Sequence, residues 1–519
     1  MFSGFLYLCW AHHQKIYTNM NYTKLIPLQL IIYLSIIATA QNKVTSKIME
    51  LGKTDNRTMQ HLDVLSNRIG PRPIGSDAYE NATYWVAEQL RKWGLEVEIQ
   101  KVGELPVGFN RGPCFGRMYS DETITLDFVT PAYTSGTKGL QRGHVLIEPK
   151  SLKEFERMKG KLKGAWVLIE GKSNGVPIDF SAHGDSVRDS VRIHNELAVN
   201  DTLKKVEPAL FYREMVNAGI LGIIQSAPVP LVAVYDRKNL NKMSFEHLPS
   251  IPDIKLNENQ YNKIREKVKN RDFVLLEFDI RNYFKPGPVS YHNIIAKIKG
   301  TKYPDEYVMS GCHLDSHDAA TGAVDCGTGV APNLEMARMI MAAGGDKPKR
   351  TILFCFWAGE EYGLLGSKWW VEHNQDKLLK ISNYFNRDGG PTAASGLVVP
   401  ENIYDDMVKC TAELENYNPQ IPFKVEKSTT PPQPVPTDAW GTDHAFFARN
   451  GVPTIPFKNT DPLGYNFNYY EIWHTVRDRY DLSIPEYMDY TTVTQAVTVY
   501  NLANLDHLLR RDGLYLPKK

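Results

Sequence analysis

Apolar and polar positions follow two rhythms along this chain, and the change between them marks its organisation. Helical spacing predicts amphipathic helices over 59–69 and 78–94, set around the turn-rich Gly70-Pro-Arg-Pro-Ile-Gly-Ser76. In the second helix Val86, Leu90 and Trp93 share a face, with Trp85 beside them. Leu95-Glu-Val-Glu-Ile-Gln100 alternates at period two and predicts a strand. From about residue 128 the predicted elements shorten. Strands are expected at Gly143–Glu148, Gly164–Glu170 and Gly219–Gln225, with a helix at Tyr212–Gly219. This is a separate small module, and Phe284-Lys-Pro-Gly-Pro288 punctuates its exit.

After residue 290 the pattern becomes regular. Strands are predicted at Asn293–Ile298, Tyr307–Ser310, 351–357, 381–386 and Val452–Phe457. Helices are predicted over 329–343, with Leu334, Ala337 and Met341 on one face, and over 438–449 and about 485–510. Alternating strands and helices predict an α/β fold: a mixed, mostly parallel sheet with helices on both faces. Pro431-Pro-Gln-Pro-Val-Pro436 reads as a surface loop, and no internal repeat is present.

The N-terminus adds a targeting segment. Lys24 precedes an apolar run, Leu25–Ala40, that ends in the small-x-small pattern Ala38-Thr-Ala40. At roughly 16 residues the run is short for a membrane span, which needs about 20. Residues 1–40 are therefore expected to be a cleaved signal peptide, the alternative being an uncleaved anchor. Met20 would open a leader of ordinary length, so residues 1–19 are expected not to be translated. The mature chain is expected to be secreted, or delivered to a lysosome-like compartment, with no membrane attachment after cleavage. In that setting the sequons at Asn56, Asn81 and Asn200 read as surface glycosylation sites.

Composition mainly excludes. A chain of 519 residues with 42% hydrophobic and 23% charged residues is ordinary for a soluble globular protein. A net charge of +1 implies no polyanion partner, and no basic tract or zinc-finger spacing points to nucleic acid. Of six cysteines, cleavage would remove Cys9 and leave an odd number, so this is not a disulfide scaffold. Cys312, Cys326 and Cys355 match no finger spacing and read as buried small apolar residues.

The candidate chemistry sits at strand ends. One apolar run ends in Ser310-Gly-Cys-His313-Leu-Asp315-Ser, followed by Asp325. Another ends in Trp357-Ala-Gly-Glu360-Glu361, and a third in Asn386-Arg-Asp388. Tyr469-Tyr-Glu-Ile-Trp-His474-Thr follows near the C-terminus. Leaving Asp315 aside, these supply two His, two Asp and two Glu: donors for a pair of divalent metals and one spare carboxylate. Imidazole with carboxylate suits Zn²⁺ best, with Mn²⁺ or Co²⁺ as alternatives. Open α/β sheets place functional groups at the carboxyl ends of their strands. The spare carboxylate points to hydrolysis, because an attacking water needs a base.

These motifs resemble the co-catalytic zinc exopeptidases, a family that includes secreted zinc aminopeptidases, glutamate carboxypeptidases and a carboxypeptidase Q branch. The resemblance covers about 50–510 and rests on Ser-Gly-x-His-Leu-Asp-Ser, Asp-x-Gly-x-Gly, Glu-Glu-x-Gly-x-x-Gly-Ser, Gly-Thr-Asp-His and His-Thr. It implies a catalytic domain in two segments, 41–127 and 286–519, around a protease-associated insert at 128–285. It implies two Zn²⁺ per subunit. His313 and Asp388 would be terminal ligands of one ion, Glu361 and His474 of the other, and Asp325 the bridge. Glu360 would be the general base, and Asp315 would orient His313. Many relatives have Asp or Asn after the bridging Asp, where this chain has Cys326, and the peptide bond there is often cis.

The implied activity is exo-hydrolysis of dipeptides or short peptides, as an aminopeptidase or a carboxypeptidase Q-like dipeptidase. A homodimer is compatible with the resemblance. Two other readings stand beside it: a catalytically inactive receptor of the same fold, and a glutaminyl-peptide cyclase, which uses a single zinc. The complete ligand set argues against both. His444, Tyr469, Tyr470 and Arg387 are candidate substrate contacts, with packing as the alternative for each. Tyr465 shares the candidacy of its neighbours for the oxyanion, whereas His317 and His373 are expected to be exposed and not to be ligands.

Overall fold

A computed structural model describes residues 43–235, 237 and 240–516. The expected leader, with Cys9, Met20 and Lys24, lies outside the described residues. Among those described, no helix is long and apolar enough to cross a membrane.

The first half supplies strands β1 (Glu96–Tyr119), β2 (Thr123–Thr125), β3 (Phe128–Val129), β4 (Gln141–Ile147), β5 (Ala165–Lys172), β6 (Gly222–Ala227) and β7 (Asp253–Asn257). The second half supplies β8 (Leu275–Ile298), β9 (Tyr303–His313), β10 (Arg350–Trp357), β11 (Ile381–Asn386), β12 (Ala393–Val399), β13 (Lys424–Lys427) and β14 (Phe457–Thr460). Nine strands form one continuous path, β11-β9-β10-β8-β4-β5-β6-β7-β3, with β1 and β2 branching off β8. The pairs β11/β9 and β9/β10 are parallel, as are β4/β5, β5/β6 and β6/β7. Antiparallel β8 joins these two parallel groups.

Strand β10 shows why the sheet carries helices on both faces. Ile352, Phe354 and Phe356 join the main core, which includes Val330, Leu334 and Ala337 of helix Thr328–Ala342 and Val493 and Val497 of helix Pro485–Ala503. Leu353, Cys355 and Trp357 point the other way, into a cluster with Trp370 and Phe447 from helices Leu365–His373 and His444–Arg449. A strand buried on both faces reads as an unbroken apolar run, which is how 351–357 looks in the sequence. The 128–285 stretch repeats this on its own scale. Leu168 and Ile224 enter one core cluster, and Val167, Ile169 and Ile223 another. Residue 285 itself lies within β8.

Several elements differ from expectation. β1 and β8 are 24-residue partners, of which the period-two pattern marks only 95–100 and 293–298. Phe284–Pro288 is not an exit turn but part of β8. The prolines are accommodated where the β1/β8 register shifts, between Leu105 and Val107, with Val107 opposite Pro286. Val452–Phe457 forms no regular strand, since Pro453 and Pro456 lack the N–H a ladder needs, and pairing begins at Phe457. The helix expected at 438–449 spans only His444–Arg449, because Gly441 takes φ +94°. The C-terminal helix stops at Ala503, and the 59–69 helix turns from α to π at Val64.

Candidate metal centre

Three neighbouring parallel strands deliver the first donors. His313 is the last residue of β9, Glu360 and Glu361 follow the end of β10, and Asp388 follows β11. Because β9 lies between β10 and β11, the three loops open at one edge of the sheet. Asp325 comes from the turn that leads into helix Thr328–Ala342. His474 follows the turn Tyr469–Glu471 and holds φ 58°, a region costly for a residue with a side chain.

These loops bring the expected residues together. Asp325 presents Oδ1 to His313 Nε2 at 3.1 Å and Oδ2 to His474 Nε2 at 3.4 Å. Asp388 Oδ1 lies 3.5 Å from His313 Nε2, and Glu361 Oε2 lies 3.2 Å from His474 Nε2. One carboxylate thus faces both imidazoles, with a further carboxylate on each side. His313, Asp325 and Glu361 are buried, while Asp388, Glu360 and His474 are partly open to the cavity beside them. Burial alone would raise the Glu361 carboxyl, but His317 and His474 beside it hold it well below the usual range. Burial also pushes the Glu360 carboxyl well above its usual value, with Glu361 and Asp388 adding to the shift and His313 opposing it.

Asp315 lies against His313, its Oδ1 3.7 Å from the ring Nδ1. The His313 ring, through Nδ1, bonds the Asp315 backbone carbonyl at 2.9 Å. The Asp315 carboxylate also accepts the backbone N–H groups of Glu360 (3.1 Å) and Glu361 (3.2 Å). It therefore fixes the turn that presents both glutamates. Two residues with no expected role complete the frame. Buried Arg72 donates to the carbonyls of Leu314 (2.8 Å), Gly322 (2.8 Å) and Gly70 (3.0 Å), tying the His313 loop to the Asp325 loop. Asp478 accepts from the backbone N–H of Val324 (2.6 Å) and of Asp325 (3.3 Å). The Asp325–Cys326 peptide bond is cis, and the buried Cys326 thiol donates to the Arg387 carbonyl at 3.2 Å. Cys312 and Cys355 are buried as expected.

A cavity of about 760 Å³ opens over Asp325, Glu360, Glu361, Asp388 and His474. Tyr469 and Tyr470 line it, as do Arg237, Trp440 and Trp473, which carry no sequence signal of their own. Other expectations are corrected. Arg387 is buried and its guanidinium bonds Asn459 Oδ1 (2.9 Å) and the carbonyls of Gly390 (3.1 Å) and Thr392 (2.7 Å), so it braces the Asp388 loop instead of meeting substrate. His444, by contrast, is half-buried beside Gly441, which lines the cavity, and close enough to Asp388 to feel its charge. Tyr465 is exposed and bonded to Glu486. His373 is exposed as expected, but His317 is buried, with Nε2 2.9 Å from Glu361 Oε2. Asn81 and Asn200 are exposed. Asn56 is half-buried, its amide bonded to the Asp489 carbonyl and to Thr58, so it is not the open surface site expected.

The donor set fits a divalent cation. His313, Asp325 and Glu361 offer ligand atoms within 4.8 Å of one another, as do His317, Glu361 and His474, and also His313, Cys326 and Asp388. His313 Nε2 and Glu361 Oε1 are buried without a hydrogen-bond partner. Orphaned donors of this kind are costly unless something else satisfies them, and neutral imidazole with carboxylate is what zinc takes.

Comparison with known proteins agrees. Residues 293–498 match the model of Peptidase family M28. The chain is 25% identical to carboxypeptidase Q of Rattus norvegicus over 466 residues, 89% of this chain and 88% of that protein. In structure it is similar to a Peptidase M28 precursor from Shewanella amazonensis, at TM-score 0.57 and 21% identity over 93% of this chain and all of that one. It is also similar to BSAP, a zinc aminopeptidase from Bacillus subtilis, at TM-score 0.50 and 17% identity over 89% and 97%. The structural likenesses bear on the fold: mixed α/β with a mostly parallel central sheet. Glu360 and the five expected metal ligands all lie inside the matched stretch. Residues 293–498 are thus similar to Peptidase family M28, and with the carboxypeptidase Q likeness this supports a zinc metallopeptidase.

Proposed function

We propose that the protein is a binuclear zinc exopeptidase that hydrolyses dipeptides or short peptides, with Glu360 as general base. The observation that carries this reading is the Asp325 carboxylate, one oxygen towards His313 at 3.1 Å and the other towards His474 at 3.4 Å. That is the disposition of a bridge. His313 and Asp388 would hold one ion, and Glu361 and His474 the other. Bound there, a pair of divalent ions supplies Lewis-acid polarisation of a carbonyl and acidifies a water at neutral pH.

The chain's own residues supply the rest. Glu360 borders the cavity next to the proposed ligand Glu361 and makes no ion pair among the described residues. Its burial raises its proton affinity, which suits a group that must accept a proton and then release it. As water adds to the scissile carbonyl carbon, Glu360 takes the water's proton. As the C–N bond breaks, Glu360 returns that proton to the leaving amine nitrogen. Asp315 keeps the Glu360 backbone in place throughout. The walls formed by Trp440, Trp473, Tyr469 and Tyr470 would exclude water from the substrate's flanks.

The 128–285 stretch, with a core cluster of its own, fits the protease-associated insert, and its Arg237 reaches the cavity wall. Secretion through the leader at 1–40 and modification of the exposed Asn81 and Asn200 belong to the same proposal. The test is hydrolysis of a free dipeptide, an N-acetylated one and a C-terminally amidated one, each with and without chelator and added Zn²⁺. Cleavage that needs zinc supports the reading, and the resistant substrate gives the direction. No zinc-dependent cleavage of any of them overturns it.

A further inference from the structure

His317 follows the His313 loop and stands where sequence reasoning expected an exposed side chain. It is only 6% exposed. Its ring is held between two others: Tyr235 stacks on it at 4.6 Å and 27°, and the His474 ring lies 4.1 Å away at 59°. Tyr235 is backed in turn by Tyr362 at 3.9 Å. Stacking on Tyr235 restrains the plane of the imidazole, and its Nε2 faces Glu361. Nε2 comes within 2.9 Å of Glu361 Oε2, the same oxygen that lies 3.2 Å from His474 Nε2.

The contact is at ion-pair distance but misses hydrogen-bond geometry. Neither Nδ1 nor Nε2 of His317 has a hydrogen-bond partner, and neither does Glu361 Oε1. A buried imidazole with no hydrogen-bond partner on either nitrogen calls for another group to satisfy it. Donor atoms of His317, Glu361 and His474 all lie within 4.8 Å of one another. Donors at about 2.0–2.2 Å around a tetrahedral zinc stand about 3.3 Å apart, so separations of 2.9 and 3.2 Å are those of a ligand cluster.

We propose that His317 is a protein ligand, through Nε2, of the divalent ion held by Glu361 and His474. The proposal rests on the metal-centre reading above and deepens it. The two sides of the centre then differ. One would have four protein residues to draw on: His317, His474, Glu361 and Asp325. The other would have His313, Asp388 and Asp325, with the Cys326 thiol within 4.8 Å of the donors of His313 and Asp388.

X-ray absorption fine structure on the zinc-loaded native chain tests this without any substitution, by counting imidazoles over the two ions. Three are expected; two overturn the proposal while leaving the binuclear reading intact, and a native chain that holds no zinc overturns both. A second measurement uses His317→Ala and His317→Gln, each checked for folding by circular dichroism in the metal-free form. Zinc is titrated against a competing chelator. One of the two ions should bind at least 100-fold more weakly in both variants, with the imidazole count falling from three to two. Unchanged affinity for both ions and an unchanged imidazole count would refute it.

Discussion

Asp478 Oδ2 accepts the backbone N–H of Asp325 at 3.3 Å, four residues beyond His474 in the chain. Its other oxygen takes the N–H of Val324 at 2.6 Å, so one carboxylate couples the loop of the proposed bridge to the loop of the second imidazole. Asp478→Asn replaces one acceptor with a donor and leaves a buried N–H facing it. A buried group left unmet costs about 1–3 kcal/mol. The variant should unfold at lower urea concentration and lose zinc faster on dialysis. A native urea midpoint and native zinc retention would remove Asp478 from the frame.

Glu360→Gln keeps the size of the side chain but removes its proton chemistry. Hydrolysis should fall by about 10²–10⁴-fold, the usual contribution of a general base, with zinc content unchanged. Near-native turnover in that variant would transfer the proton role elsewhere.

Asp325→Ala removes the one carboxylate that faces both imidazoles. Zinc content and activity should fall together. A variant that keeps its full metal complement would show that Asp325 does not bridge.

Arg72 is fully buried and donates to five backbone carbonyls, those of Leu65, Gly70, Leu314, Thr321 and Gly322. Lys has the charge but not the planar fork. Arg72→Lys should therefore strand at least one carbonyl, at about 1–3 kcal/mol each, and lower the thermal midpoint without touching a ligand. A midpoint equal to native would mean that the fork geometry is dispensable.

Asp489 gives a pH test away from the metal centre. Burial pushes its carboxyl up to about 6, with Glu335 and Glu486 adding to the effect. A raised carboxyl favours the folded state only while it is protonated. Its stabilisation is full below the unfolded value of about 3.9 and is lost as pH rises through about 6. Asp489→Asn should thus be more stable than native at pH 8, with the advantage shrinking towards pH 4. An advantage independent of pH would contradict this.

The sequence was most legible where physics is local. His313, Glu360, Glu361 and Asp388 could be placed because apolar runs buried on both faces end sharply, and the residues just after a parallel strand lie at its carboxyl edge. The β1/β8 ribbon was only partly legible, because its prolines and bulges break the period-two pattern. Arg387 misled for a related reason: position beside a ligand does not say which way a side chain points, and this one turns inward to carbonyls. His317, Arg237 and Trp440 had no local signal. Tyr235 and Arg237 reach the centre only because the 128–285 stretch folds back onto it, a contact between residues far apart in sequence. Asp478 and Arg72 act through backbone groups of distant loops, and no residue-type pattern announces that. The direction of exo-cleavage was not legible either, since it depends on the rim built by these distant loops.

The central claim is zinc-dependent peptide hydrolysis, and the most direct measurement is dipeptide turnover by the metal-stripped chain as Zn²⁺ is added back. Activity should be absent at the start and should reach its plateau at two ions per chain. Full activity in the stripped chain, or none after two ions have bound, would contradict the claim.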